Sequence, residues 1–326
     1  LIGFYKLNLK HKKDGVVTII LTTLMGLSGC VIVPKPVPPP ASDSNVSSIS
    51  NDLPKRDEVV AHPVTPLLEQ TGGLALSAKG VLYFANHKKL GTIGKYELGK
   101  SKEPETFIDL SEWISASGDR DLRVEGLRLD GENRLLVAEA GTGKLLRISP
   151  DARKLEILAD SYDGYRFATV KDLAIGPNGD LYASSPYSGT VYRIRPDAGY
   201  VGILNEDLVR VEGLAISPDG KSLVAAEPDA SRVVVFDIPT ELVPVTSWTL
   251  VDFSPSGVEP KGVVFDEKGR LFVALGDREE VRVFDLEKGE ELVVYDAGGI
   301  AESLTYRDGS LFVSGGDRIR RIRLRD

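Results

Sequence analysis

Along most of this chain apolar and polar residues alternate with a period of two, and helical periodicity is almost absent. The stretch 211–225 shows the unit. Leu214 and Ile216 alternate with small or polar neighbours, Pro218-Asp219-Gly220 supplies a tight turn, and Leu223-Val224-Ala225 begins a second strand. Asp219 can bond back to its own backbone, and Gly220 tolerates the positive φ such turns need. The unit recurs, with copies that begin at Gly73-Leu74, Glu125-Gly126-Leu127, Lys171-Asp172-Leu173, Glu212-Gly213-Leu214, Lys261-Gly262-Val263 and Glu302-Ser303-Leu304. Spacings of about 40–55 residues are those of propeller blades.

Most copies carry a third alternating strand, such as Lys144-Leu145-Leu146-Arg147-Ile148 or Arg232-Val233-Val234-Val235-Phe236, and several a fourth, such as Leu155-Glu156-Ile157-Leu158. Four antiparallel strands in each of six copies predict an all-β, six-bladed β-propeller over residues 57–326. The sixth copy stops after its third strand, which would leave an open edge. The segment 58–64 has strand character and is expected to pair onto that blade and close the ring.

The pattern changes before the propeller. Lys6, Lys10, Lys12 and Lys13 precede an apolar run over 16–27, too short to span a bilayer comfortably, so residues 1–29 read as a signal peptide. The run ends in Leu27-Ser28-Gly29-Cys30, which resembles the lipobox of bacterial lipoproteins. That resemblance implies export and a lipid on Cys30, anchored in the outer membrane facing the periplasm if the cell has two membranes, because Val31 and not an aspartate follows. Cys30 is the single cysteine, so no disulfide is expected. Residues 30–56 are rich in Pro, Ser, Asn and Asp and read as a tether. The chain opens on Leu1 and its one methionine is Met25, which suggests a non-AUG start or a missing beginning. Removing 1–29 takes away four lysines and one aspartate and leaves 36 basic and 47 acidic residues, a net charge of −11. An acidic domain of this kind has no footprint for nucleic acid or anionic headgroups, so membrane attachment would rest on acyl chains.

Three copies carry a more specific likeness. Lys171-Asp172-Leu173, with Leu181-Tyr182-Ala183 and Pro186-Tyr187-Ser188-Gly189 after it, looks like the gluconolactonase segment P-N-D-L…I-Y-F-T-D-P-P-Y-G. The stretch 125–141 resembles that family's N-G-L…E-H-G, and 212–223 resembles its P-N-G-L-A-F-S-P-D-G-K-T-L. The resemblance, to the senescence-marker-protein/gluconolactonase group of six-bladed propellers, covers about residues 70–325 in the family's order. It implies hydrolysis of lactones or related esters by one divalent metal, calcium or zinc, at the top centre. It also implies ligands just before the innermost strands: a Glu in the first blade, Asn residues in middle blades and an Asp in a later one. Oxygen ligands suit a hard cation, which would polarise a carbonyl and activate water.

This chain departs from that pattern. The entrances to the six inner strands read Gly72, Glu125, Lys171, Glu212, Lys261 and Glu302, so acid and base alternate over five consecutive blades. An ammonium group has no lone pair for a metal, and its charge opposes a dication nearby. In one arrangement Lys171 bridges Glu125 and Glu212, and Lys261 bridges Glu212 and Glu302, with Asp172 beside them on the top face. In the other, both lysines swing outward and Glu125, Glu212 and Glu302 hold a metal. The alternation favours the first, so no cofactor is favoured, and a divalent cation is the alternative.

Other chemistry is sparse. Beyond the leader only His62 and His87 remain, too few for a Ser-His-Asp triad or a three-histidine zinc site. His87 is expected on the top face as an exposed loop residue, with a general base as the alternative. Glu139 and Glu227 end second strands and are expected there as solvated loop carboxylates, or as general bases if burial raises them. Tyr182, Tyr187 and Tyr192 could line a pocket, although packing is the default for Tyr182 and Tyr192, and for Trp113 and Trp248. Gly141-Thr142-Gly143-Lys144 has the composition of a phosphate loop but joins two strands. The expected function is binding of a small molecule or protein at the top face, with a metal-dependent lactone or ester hydrolase as the alternative.

Overall fold

The computed structural model describes residues 52–116 and 120–324. The expected signal peptide, Cys30 and most of the expected tether lie outside them. Six four-stranded antiparallel sheets follow one another in chain order. Blades 1 to 5 span 74–109, 124–159, 173–205, 214–252 and 260–296. Blade 6 takes 303–323 and completes itself with His62–Pro63, His62 lying opposite Arg321 and Pro63 opposite Arg320. The expected closure is present. Backbone bonds from Val64 N–H to Ile319 C=O (2.9 Å) and from Leu68 N–H to Asp317 C=O (2.8 Å) extend it. Residues 52–54, at the end of the expected tether, also meet the propeller. Asp52 pairs with Lys268 and accepts from Arg270 at 2.6 Å, which together pull its carboxyl down to about 2, and the Tyr295 hydroxyl donates to Pro54 C=O at 2.8 Å.

The two-residue period gives the middle strands of the blades two buried faces, one for each neighbouring blade. Leu127, Leu135 and Val137 of blade 2 pack with Ala75, Ala85 and Ile93 of blade 1. Leu271 and Val273 of blade 5 do the same with Val224 and Val235 of blade 4. The first strand of every blade touches the first strands of both neighbours, so the six innermost strands circle one axis. Glycine after the entrance residue permits that approach. A Cβ on Gly73 would lie 1.7 Å from Glu125 C=O, and one on Gly213 would lie 2.3 Å from Lys261 C=O. The turn at 218–220 forms as read, with Gly220 at φ 73° and Asp219 accepting from Lys221 N–H at 3.1 Å. Such turns close the lower end of the ring, and the entrances lie at the upper end.

Candidate functional site

At the upper end the entrances of the inner strands converge on a cavity of about 40 Å³ lined by Glu125, Lys171, Asp172, Glu212, Lys261 and Glu302. All six were candidates on sequence, and the propeller brings them together. Their pairing differs in detail from the bridged ring. Lys171 Nζ lies 2.8 Å from Glu125 Oε2, and Glu212 acts on it only at longer range. Burial alone would push the Lys171 ammonium down, but the attraction of Glu125 and Glu212 outweighs it and holds the group above the ordinary lysine range. Lys261 Nζ is 4.0 Å from Glu212 Oε2 and closer, at 3.0 Å, to Glu259. It makes no ion pair with Glu302 among the described residues.

Two arginines account for the difference. Arg123 Nε lies 2.9 Å from Glu125 Oε1, and Arg210 Nη2 lies 2.6 Å from Glu212 Oε1. Each of these glutamates therefore holds an arginine from its own blade on one oxygen and faces a lysine from the next blade with the other. The signal was in the sequence: Arg-Val-Glu-Gly-Leu occurs at both 123–127 and 210–214. Glu302 is the carboxylate left over. Burial at the mouth raises its pKa, opposed by Lys171 and Lys261.

Asp172 does something else. It stands where four of the six copies have glycine, and its side chain enters the axis. Oδ2 accepts from Arg128 Nη2 at 2.8 Å and from Leu214 N–H at 3.0 Å, while Oδ1 is buried without a hydrogen-bond partner. Burial pushes the Asp172 carboxyl up against the pull of Arg128. Arg128 also donates to Leu127 C=O at 2.9 Å and across the ring to Leu214 C=O at 3.0 Å. The pair separates the upper cavity, which Asp172 lines, from two lower ones, which Arg128 lines. Arg128 was missed, although aligning the copies sets it against Ala75, Ala174 and Ala215. Hydroxyls clasp neighbouring blades around the mouth, Ser184 donating to Glu212 C=O at 2.6 Å and Ser314 to Gly72 C=O at 2.5 Å.

Several other residues are placed differently from expectation. Glu139 and Glu227 are fully buried and not solvated. Glu139 accepts from the backbone N–H groups of Arg123, Gly141 and Thr142 at 2.8–2.9 Å, so it occupies the loop that has a phosphate loop's composition. Glu227 accepts from Val209 N–H at 2.7 Å and from Arg232 at 2.5 Å. Both organise loops, and neither lines the upper cavity. His87 is also buried, edge-on to Phe84 at 5.4 Å, and burial lowers its pKa. It does not line the cavity either. Tyr182 is buried under Arg193, and Tyr192 packs on Phe167 at 4.5 Å, as expected of strand residues. Tyr187 and Trp113 are exposed, and Trp248 packs at the rim of the blade 4–5 core. Among the described residues no group of three or more His, Cys, Asp and Glu side chains converges as metal ligands would.

Residues 152–305 match the family model described as SMP-30/Gluconolactonase/LRE-like region. A gluconolactonase from Zymomonas mobilis is 26% identical over 188 residues, covering 50% of this chain and 52% of that protein. The chain thus spans about half the length of this curated relative. Among solved structures, a gluconolactonase from Xanthomonas campestris has a TM-score of 0.67 at 20% identity, over 82% of this chain and 89% of that one. Regucalcin from Agrobacterium tumefaciens, a calcium-binding protein, has a TM-score of 0.63 at 14% identity, over 82% and 95%. At such identities the structural likeness speaks for the fold. With six blades in order and this region matched, the chain is a six-bladed β-propeller that carries an SMP-30/gluconolactonase-like region over residues 152–305.

Proposed function

We propose that this protein is a binding propeller whose upper mouth takes a small polar ligand through Lys171, Lys261 and Glu302, without a resident metal. The observation that carries the reading is the ammonium group of Lys171, 2.8 Å from Glu125 inside the axial cavity. Calcium takes about six to eight oxygen ligands. Here the oxygens of Glu125 are both engaged by cations, those of Glu212 face Arg210 and Lys261, and the ammonium groups offer no lone pair. That donor set does not fit a divalent cation. The cavity of about 40 Å³ admits a few waters but no sugar lactone, so an organic ligand would lie above the ring and reach in with polar groups. Metal analysis, a calcium and zinc thermal shift and a lactone screen test this together. The expected result is no stoichiometric metal, no stabilisation and no turnover. Bound metal with chelator-sensitive turnover would refute it.

A second reading, a lactone or ester hydrolase, is favoured by the gluconolactonase relatives and by Glu302, whose raised carboxyl retains its proton closer to neutrality. Turnover that survives a chelator and disappears in Glu302→Gln would support it. The order of basic residues, apolar run and Leu27-Ser28-Gly29-Cys30 supports lipid attachment at Cys30 and a position at a bacterial membrane, facing the periplasm in a cell with two membranes. Lipid labelling that persists in Cys30→Ser would rule that out.

A further inference from the structure

We propose that the lower end of the axis is a second binding site, for a small amphipathic carboxylate. The upper cavity is about 40 Å³, whereas two open cavities beneath the Arg128–Asp172 pair measure about 220 and 380 Å³ and have Arg128 as a common wall. Ligand pockets for organic molecules run from about 300 to 1,000 Å³, so the room lies below. The larger cavity is walled mainly by apolar side chains, Ile175, Leu214, Ile216 and Val264 among them. Cationic groups converge at its inner end and in the smaller cavity. Arg128 uses three N–H donors on Leu127, Asp172 and Leu214, which leaves two of a guanidinium's five. Arg307 lines the smaller cavity with its Nε buried and without a hydrogen-bond partner, Asp308 lying 3.4 Å away. Asp172 pairs with Arg128 at 2.8 Å and Asp308 with Arg307 at 3.4 Å, and the other acids nearby are committed elsewhere: Asp130 to Arg134 at 2.7 Å, Asp266 to Arg270 at 2.6 Å, and Glu267 to the Tyr306 hydroxyl. Apolar walls ending on Arg128 suit a carboxylate with a hydrocarbon body, its charge on Arg128 and its body against Ile175 and Ile216, with Arg307 adding positive charge from the adjoining smaller cavity. This site is independent of the reading given for the upper mouth.

Calorimetric titration of the purified full chain with octanoate, and with octanamide as the uncharged match, tests the proposal. Octanoate should bind saturably, and octanamide about tenfold or more weakly. Ile216→Trp fills the larger cavity from its wall and should abolish binding, while Glu302→Gln at the other end should leave it unchanged. Arg307→Gln, at a partly exposed position, should weaken octanoate about threefold or more, and it serves if Ile216→Trp does not fold. Absence of saturable binding, equal affinity for the amide, binding that survives Ile216→Trp, or unchanged affinity in Arg307→Gln would each overturn it. Loss of binding in Glu302→Gln would also overturn it by placing octanoate in the upper mouth.

Discussion

The two ends of the propeller axis are made by the same six inner strands, yet they are chemically opposite. Above the Arg128–Asp172 pair the lining is charged and the cavity is small; below it the larger cavity is walled mainly by apolar side chains and the space is several times larger. The difference follows from what the strands emerge from. Their upper ends leave loops, where charged residues stay partly hydrated and neighbours such as Arg123 and Arg210 compensate them. The lower ends lie within the strands, where the period of two places Ile175 and Ile216 beside small residues such as Ala174 and Ala215. Small side chains leave space, and long paired ones fill it.

The largest break would remove the ring itself. Deleting residues 57–66 takes away the strand that completes blade 6 and should lower Tm on the order of 10 °C, damaging both ends together. An unchanged melting temperature would refute the closure. Arg128→Ala comes next. It leaves Asp172 without its partner, and removing one member of such a pair costs about 3–5 kcal/mol, measurable by urea unfolding. It should also join the upper cavity to the lower ones.

Two further changes act on the upper end alone. Lys171→Met with Lys261→Met should cost about 1–2 kcal/mol, since both lysines are partly solvated. By freeing oxygens of Glu125 and Glu212, the double change should also make calcium raise Tm where it does not in the parent. A variant indifferent to calcium would show that the lysines are not what excludes the cation. The smallest effect is expected from Glu302→Gln. The Glu302 pKa is raised in the folded protein, so its contribution to stability is fully present below the unfolded value near 4.5 and is lost as pH rises through the folded value. Compared with the parent, the variant should therefore gain stability toward neutral pH, by a Tm shift on the order of 1 °C, and the gain should vanish below about pH 4. A pH-independent difference would contradict the raised carboxyl.

The blades were legible because alternation and turn residues are local. Val263 and Phe265 show a strand wherever they are read, and so does Gly220 a turn. The mouth was legible as a set, because six equivalent positions in a closed ring must meet at its axis. Its pairing was not. Arg123 and Arg210 compete for Glu125 and Glu212, and one residue number carries no information on which oxygen faces which cation. Glu139, Glu227 and His87 were misjudged for a related reason. Loop position suggested solvent, but the loops fold back over them, and buried carboxylates there gather backbone N–H groups that would otherwise lack acceptors.

The sequence by itself therefore determined the six blades, their order, the strand that closes them and the family likeness, since each rests on a repeated local pattern or a motif. It also determined that lysines and glutamates alternate around the mouth. Only the tertiary structure decided that Arg128 reaches across the axis to Asp172 and Leu214 C=O and divides it in two. That contact joins three blades separated by 44 and 86 residues in the chain, and its strength depends on burial and direction, quantities that exist only after the ring has closed.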